Sequence, residues 1–315
     1  MLFLWIALGI AGLALFLCAA LMLVIYYTAF YNPPKRRLKD YYYLAGEQYE
    51  PVQQAIFGIV DGIVNEKNFE EVSITARDGI KLVGKYYPFF DEDAPLEIIF
   101  HGYRSAAERD CGGGFALAKK RGHNVLLPDQ RAHGKSGGRC LTFGIKERYD
   151  CLAWCRWAAE RFPQAKIVIS GVSMGAATVL MASDLPLPDA VKGIMADSGY
   201  SSPKAVCSEV THSMGLPPKP IYPFTKLTAR LFAGVDLEES SAVEAVAHAK
   251  VPILLVHGEE DHFVPFYMCG EIENAIVGEK TVLTVPGAPH AVAYLVDKET
   301  YTRVTDAFCE RVLAD

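Results

Sequence analysis

Ile167-Val168-Ile169-Ser170-Gly171-Val172-Ser173-Met174-Gly175-Ala176-Ala177-Thr178-Val179-Leu180 reads as a buried β-strand, a tight turn and a helix in immediate succession. The apolar run before Gly171 suits a strand covered on both faces, and Ala176 to Leu180 is helix-prone. Between them Ser173 is the central residue of a GxSxG pattern. Such a pattern recurs by chance, and its setting makes it informative: a serine on a sharp strand-to-helix turn is exposed, with glycines where strand and helix approach closely. The helix N-terminus faces that serine, so its dipole and free N–H groups favour negative charge there. Ser173 is therefore a candidate nucleophile.

A serine hydroxyl is a poor nucleophile at neutral pH and needs a base to take its proton. His290 follows the turn-rich Val285-Pro286-Gly287-Ala288-Pro289 after the last apolar strand, where it would stand at the mouth of a site; the alternative is a surface loop histidine. The orienting carboxylate should lie between serine and histidine in chain order, near a strand end. Asp261, in His257-Gly258-Glu259-Glu260-Asp261-His262, is the leading candidate, with Asp197 at the end of the preceding strand as competitor. Glu259 and Glu260 read as solvated loop charges. For the oxyanion, backbone N–H groups serve best because they are held in place. The amide of Met174 supplies one, and that of Tyr103 in the His101-Gly102-Tyr103 turn the other.

Outward from the elbow, short β-rich runs occupy residues 72–75, 80–87, 97–100, 124–127, 166–170, 191–196, 252–257 and 281–286. Helical patterns such as 147–162 and 300–313 lie between or after them. This alternation predicts an α/β fold with a doubly wound, mostly parallel sheet. About forty residues, 201–240, interrupt the rhythm with Pro217, Pro218, Pro220 and Pro223, too long for a simple crossover. They read as a small helical cap, or else a plain loop-and-helix excursion. Residues 51–64 carry Val52, Ile56, Ile59, Val60 and Ile63 on one stripe, an amphipathic lead-in helix lying on the domain or on a membrane surface.

Residues 2–31 contain no charged side chain. The run exceeds the ~20 apolar residues that cross a bilayer core and lacks the positive n-region of a cleaved signal peptide, so a transmembrane anchor is expected. Asn32-Pro33-Pro34 reads as a helix stop. The chain divides into an anchor at 1–31, a linker and lead-in at 32–70, and a main domain at 71–315. Lys35, Arg36, Arg37 and Lys39 follow the span, which by the positive-inside rule leaves the domain cytoplasmic. A chain beginning near Gly46 should be soluble.

The eight cysteines would be free thiols in that compartment, although an even number also permits disulfides outside. A net charge of -6 with interspersed basic residues argues against nucleic acid as a partner. Gly134-Lys135-Ser136 has Asp129 where a phosphate loop needs its first glycine, and His257 with His262 lacks the HExxH order. No cofactor and no metal are expected; Arg131 and His133 read as braces of a loop beside the site.

His101-Gly102, Asp129-Gln130-Arg131-Ala132-His133-Gly134-Lys135-Ser136, Gly171 to Gly175, Asp261 and His290 together resemble the α/β-hydrolase superfamily, over residues from about 71 to the C-terminus. Within it the chain is similar to the serine aminopeptidase-like and Bem46-like groups, whose members often carry an N-terminal membrane segment. The resemblance implies the α/β-hydrolase fold, a triad of Ser173, Asp261 and His290, and an oxyanion hole at Tyr103 and Met174. It implies no substrate, because this fold hosts many reactions. The expectation is a membrane-anchored ester or thioester hydrolase acting on apolar, lipid-like acyl groups. In that reading Met214, Leu216, Ile221, Phe224, Leu227, Leu231 and Phe232 either line an acyl pocket or form the cap's own core. A peptidase or amidase with the same triad, and a non-catalytic membrane-tethered binding protein, are the alternatives.

Overall fold

The apolar runs of the middle of the chain become the strands of one eight-stranded sheet. In the computed structural model, which describes every residue except Leu38, Lys39, Tyr43, Ala45 and Asp315, these are β1 (Glu70–Thr75), β2 (Lys81–Tyr87), β3 (Leu96–Phe100), β4 (Asn124–Pro128), β5 (Ile167–Val172), β6 (Val191–Asp197), β7 (Ile253–Gly258) and β8 (Lys280–Val285). Their order is β1-β2-β4-β3-β5-β6-β7-β8. β2 runs antiparallel to both β1 and β4, and every other neighbour pair is parallel. All residues of β3, β4 and β7 are buried, as strands covered by helices on both faces must be. The pairing of Phe100 with Gly171, and of Val172 with Asp197, brings the C-terminal ends of β3, β5 and β6 to one level. In open parallel sheets that edge is where ligands bind.

Residues 201–240 form the expected cap of two helices, Pro203–Ser213 and Pro218–Thr228, packed on each other. The first starts with Ser202 as N-cap, its Oγ accepting the Ala205 N–H at 3.0 Å, and with proline where the missing N–H costs nothing. The second continues into one wider turn, Ala229–Ala233.

The N-terminal helix (Leu2–Ile25) is apolar over its whole length, and residues 2–17 are exposed all round. With its final wider turn, Tyr26–Phe30, the run from Leu2 to Phe30 is 29 residues and long enough to cross a membrane. Its end is part of the domain. Phe30 is fully buried with its ring edge-on to Phe143 at 5.5 Å, and its carbonyl accepts the Leu141 N–H at 2.9 Å. Asn32, also fully buried, donates through its amide to Arg139 O at 2.8 Å and through Nδ2 to Ala132 O at 2.9 Å. Arg37 donates to the carbonyls of Gly134 (2.6 Å), Ser136 (2.7 Å) and Gly138 (3.0 Å). The stretch read from sequence as a linker is thus fastened to the domain at both Asn32 and Arg37, and a charge counted for topology clamps a loop. Of the same basic cluster, Lys39 lies outside the described residues.

All eight cysteines are free thiols, six of them buried. Helix Glu147–Arg161 buries Cys151 and Cys155 beside Trp154 in the main core.

Replacing Phe30 by Ala should cost about 3–5 kcal/mol of domain stability, the usual range for emptying a buried aromatic site; urea unfolding of the detergent-solubilised chain reads this directly. A chain begun at residue 46 should unfold at lower urea than one begun at residue 26, because it lacks Phe30, Asn32 and Arg37. Equal midpoints would show that the segment merely rests on the domain.

Candidate active site

The turn after β5 is as tight as its glycines allow. Ser173 has φ 56° and ψ -117°, a left-handed backbone that a non-glycine residue holds only when its surroundings impose it. They do. The Ser173 N–H donates to Asp197 O at 2.9 Å, and helix Met174–Met181 starts at once against β5. A Cβ on Gly171 would stand 2.2 Å from the Gly175 carbonyl carbon, and one on Gly175 would stand 2.0 Å from Phe100 O.

Around this serine the structure brings together residues remote in sequence. His290 Nε2 lies 2.9 Å from Ser173 Oγ, and His290 Nδ1 lies 2.6 Å from Asp261 Oδ2. The carboxylate is fixed in turn: its other oxygen accepts the N–H groups of Phe263 (3.0 Å) and Val264 (2.8 Å). Asp197, the competing acid, makes no bond to His290. It accepts from Ser198 Oγ at 2.9 Å and from the Tyr301 hydroxyl at 3.1 Å, while Ser198 Oγ accepts the Ala291 N–H beside His290 at 3.2 Å. Its burial raises its pKa. Asp197 therefore shapes the turn that carries the imidazole.

Burial would also raise the Asp261 carboxyl, yet hydrogen bonds from His257 and His290, the positive charge on His290 and the Val264 amide outweigh it and hold the pKa at about 2. His257 is the partner that sequence reasoning missed. Set aside there as half of a failed metal motif, it is buried at the end of β7, with Nε2 2.8 Å from Val264 O and 3.4 Å from Asp261 Oδ2. Burial pulls its pKa down, but the Asp261 carboxylate, the Cys269 thiol and the Val264 carbonyl together push it up to about 10. Its place four residues before Asp261, on the same strand end, was the available signal.

The amides expected to receive an oxyanion flank the serine. Among the described residues neither the Met174 N–H nor the Tyr103 N–H has an acceptor. The loop that carries Tyr103 is held from two sides. From within, Gln130 N donates to His101 Nε2 at 3.1 Å and Arg104 N to His133 Nε2 at 3.0 Å. Arg131 braces the same region with two 2.7 Å bonds to Asp150. From outside comes the end of the N-terminal helix, whose last carbonyls have no intrahelical partner. The Tyr103 hydroxyl donates to Ala29 O at 2.8 Å, and Arg104 Nη2 donates to Thr28 O at 2.9 Å and Tyr31 O at 3.1 Å. A guanidinium at a helix C-terminus also meets the negative end of the helix dipole. The ring of Tyr103 also stacks on Phe143 at 5.5 Å, so the residue both packs the loop and ties it to the helix end.

A cavity of about 370 Å³ opens beside Ser173 and His290. Its apolar wall is built by Tyr49, Ile56, Ile59, Leu117, Tyr294 and Leu295. None of the seven cap residues considered as pocket lining touches it; the lead-in helix Gln53–Val64 takes that position instead. The amphipathic stripe was legible, but its destination over the site was not.

The family model described as the alpha/beta hydrolase fold matches residues 98–216. That match, over the middle of the chain, and the sheet topology agree on the α/β-hydrolase fold. Among solved structures, an esterase from Pyrococcus furiosus superposes with a TM-score of 0.66 at 24% identity, over 90% of this chain and 98% of that one. Among sequences, YqkD of Bacillus subtilis, an uncharacterised protein, is 24% identical over 61% of this chain and 63% of its own length. A bifunctional esterase/perhydrolase of Acinetobacter calcoaceticus is 22% identical over 70% of this chain and 92% of its own.

Gly175→Ala should abolish folding to this structure or cost more than ~3 kcal/mol, since the new methyl meets backbone rather than a movable side chain. Thermal unfolding beside Gly270→Ala, whose added Cβ meets nothing within 4 Å, separates the clash from a general glycine effect. Tyr103→Phe keeps the backbone amide but loses the tie to the helix end. We expect kcat to fall about twofold to tenfold with KM little changed, the equivalent of ~0.5–1.5 kcal/mol.

Proposed function

We propose that the chain is a serine hydrolase that cleaves a carboxylic ester or thioester through an acyl-enzyme on Ser173, without a cofactor. The observation that carries this reading is the continuous relay from Asp261 through His290 to Ser173, with hydrogen bonds of 2.6 and 2.9 Å, on a strained turn. Ser173 Oγ attacks the carbonyl carbon while His290 Nε2 takes its proton. Asp261, ionised throughout, holds the imidazole in the right tautomer and stabilises its positive charge. The Met174 and Tyr103 amides receive the oxyanion of the tetrahedral intermediate. Collapse expels the alcohol or thiol, which takes the proton from His290, and water repeats the sequence on the acyl-enzyme.

For the substrate, the apolar wall from Tyr49 to Leu295 supports an apolar acyl group. The charged pair on the same cavity, Arg109 and Asp110, is 3.2 Å apart, and Asp110 Oδ2 also accepts the Gly102 N–H at 2.7 Å, so neither is offered to a peptide terminus. That favours esters over aminopeptidase substrates. The esterase names among the similar proteins agree. We read the N-terminal helix as an anchor that keeps the site within reach of membrane-borne acyl chains, with the domain on the cytoplasmic side.

A fluorophosphonate probe should label the intact chain and not Ser173→Ala. Ser173→Ala and His290→Ala should each lower kcat by several orders of magnitude, and Asp261→Asn by ~10⁴, as for a carboxylate that fixes a tautomer. Asp197→Asn should cost far less. Absence of labelling in the folded chain would return the reading to a binding protein. Turnover of aminoacyl amides with none of any ester across an acyl-length series would return it to a peptidase.

A further inference from the structure

The sixteen residues 2–17 are the only part of the N-terminal helix exposed on every side. At ~1.5 Å per residue they rise about 24 Å, short of the ~30 Å hydrocarbon core of a bilayer. The candidate span, Leu2–Phe30, runs on past Leu17. From Cys18 onward the helix is already covered along one face, at Cys18, Leu21, Met22 and Ile25, and the cap helix Pro218–Thr228 is what covers it. Protein that lies beside those residues lies at the depth of those residues.

The direction of the cap helix sets what goes deepest. The turn that follows it, Ala229–Ala233, meets the end of the N-terminal helix, with the Phe232 ring 5.1 Å from that of Tyr26. Its start, and the loop joining the two cap helices, therefore point back along the span toward its middle. That loop is Met214-Gly215-Leu216-Pro217, without a charge, and Met214 and Leu216 are 66% and 43% exposed. Along the helix, Pro220, Pro223, Leu227 and Leu231 recur at spacings of three and four, all exposed. Such a surface is costly in water and suits a bilayer. Lys226 and Arg230 flank the stripe but are neutralised by Glu238 and Asp236. Lys219 and His212 remain as exposed polar ends near the loop, and lysine can reach head groups from a buried stem.

We propose that the cap is a second membrane contact: residues 214–231 sit in the lipid interface beside the anchor, with the Met214–Pro217 loop dipping into the acyl region. The span and the cap then form one embedded unit, which fixes the orientation of the domain against the bilayer rather than leaving it on a free tether. The inference rests on the anchor reading above, and the occupant it names is lipid.

The full-length chain in phosphatidylcholine nanodiscs containing a small fraction of lipid with a diazirine on its acyl chain tests both. On illumination the diazirine loses N2 and the carbene inserts into neighbouring bonds, which peptide mass spectrometry maps. The proposal expects adducts on residues 2–17 and also on 214–231, the latter about tenfold above those on helix Lys298–Ala314. Met214→Glu/Leu216→Glu, both at exposed positions, should lower adducts on the loop severalfold and leave those on residues 2–17 unchanged. Adducts on residues 2–17 with background levels on 214–231 would overturn the second contact while leaving the anchor intact. Background levels on both would overturn the anchor and the proposal with it.

Discussion

Ser173 can face His290 only while its backbone stays at positive φ, and a non-glycine residue in that region carries roughly 1–3 kcal/mol of strain. The surroundings that hold it there are the surroundings that define the site. Gly171 and Gly175 allow β5 and its helix to touch, the Ser173 amide is tied to the end of β6, and Phe100 O at the end of β3 leaves no room for a side chain at Gly175. The three central strands are therefore required to end at one level. That single requirement also places the His101–Arg104 loop, Asp197 and the β7 loop within reach of the serine.

The second determinant is electrostatic. A carboxylate as buried as Asp261 would ordinarily favour its neutral form, in which it could not stabilise an imidazolium. Two histidines and two backbone amides keep it ionised, one histidine facing the serine and the other facing the core. The division between them is geometric: His290 stands against the Ser173 hydroxyl, while His257 is locked against Val264 O and supports the acid from behind.

Legibility follows from the range of the physics. All eight strands lie within two residues of the runs read from sequence, because doubly covered strands are continuous apolar stretches whatever their neighbours. Ser173, His290 and Asp261 were readable because each sits at a strand end in a fixed chain order. The choice of Asp261 over Asp197 was less so, since both end strands, and only the Tyr301 hydroxyl and Ser198 reveal that Asp197 is otherwise engaged. Hidden altogether were contacts between an apolar segment and a distant site. Ile56 and Ile59 announce a buried face but not which surface buries it, and nothing local tells that Phe30 belongs to the domain core rather than to a membrane helix.

The attachment of the helix end to the domain bears on how such a protein could be released. A membrane protein on a loose tether can be shed by one proteolytic cut and continue to work in solution. Here a cut before Tyr26 leaves the turn Tyr26–Phe30, with its exposed Tyr27 ring, on the product, and a cut after Arg37 removes Phe30, Asn32 and the partners of Tyr103 and Arg104. Shedding would thus yield either a sticky domain or a damaged one. The apolar helix end and the candidate site are inherited together in this chain, as properties of one folding unit rather than of two exchangeable modules.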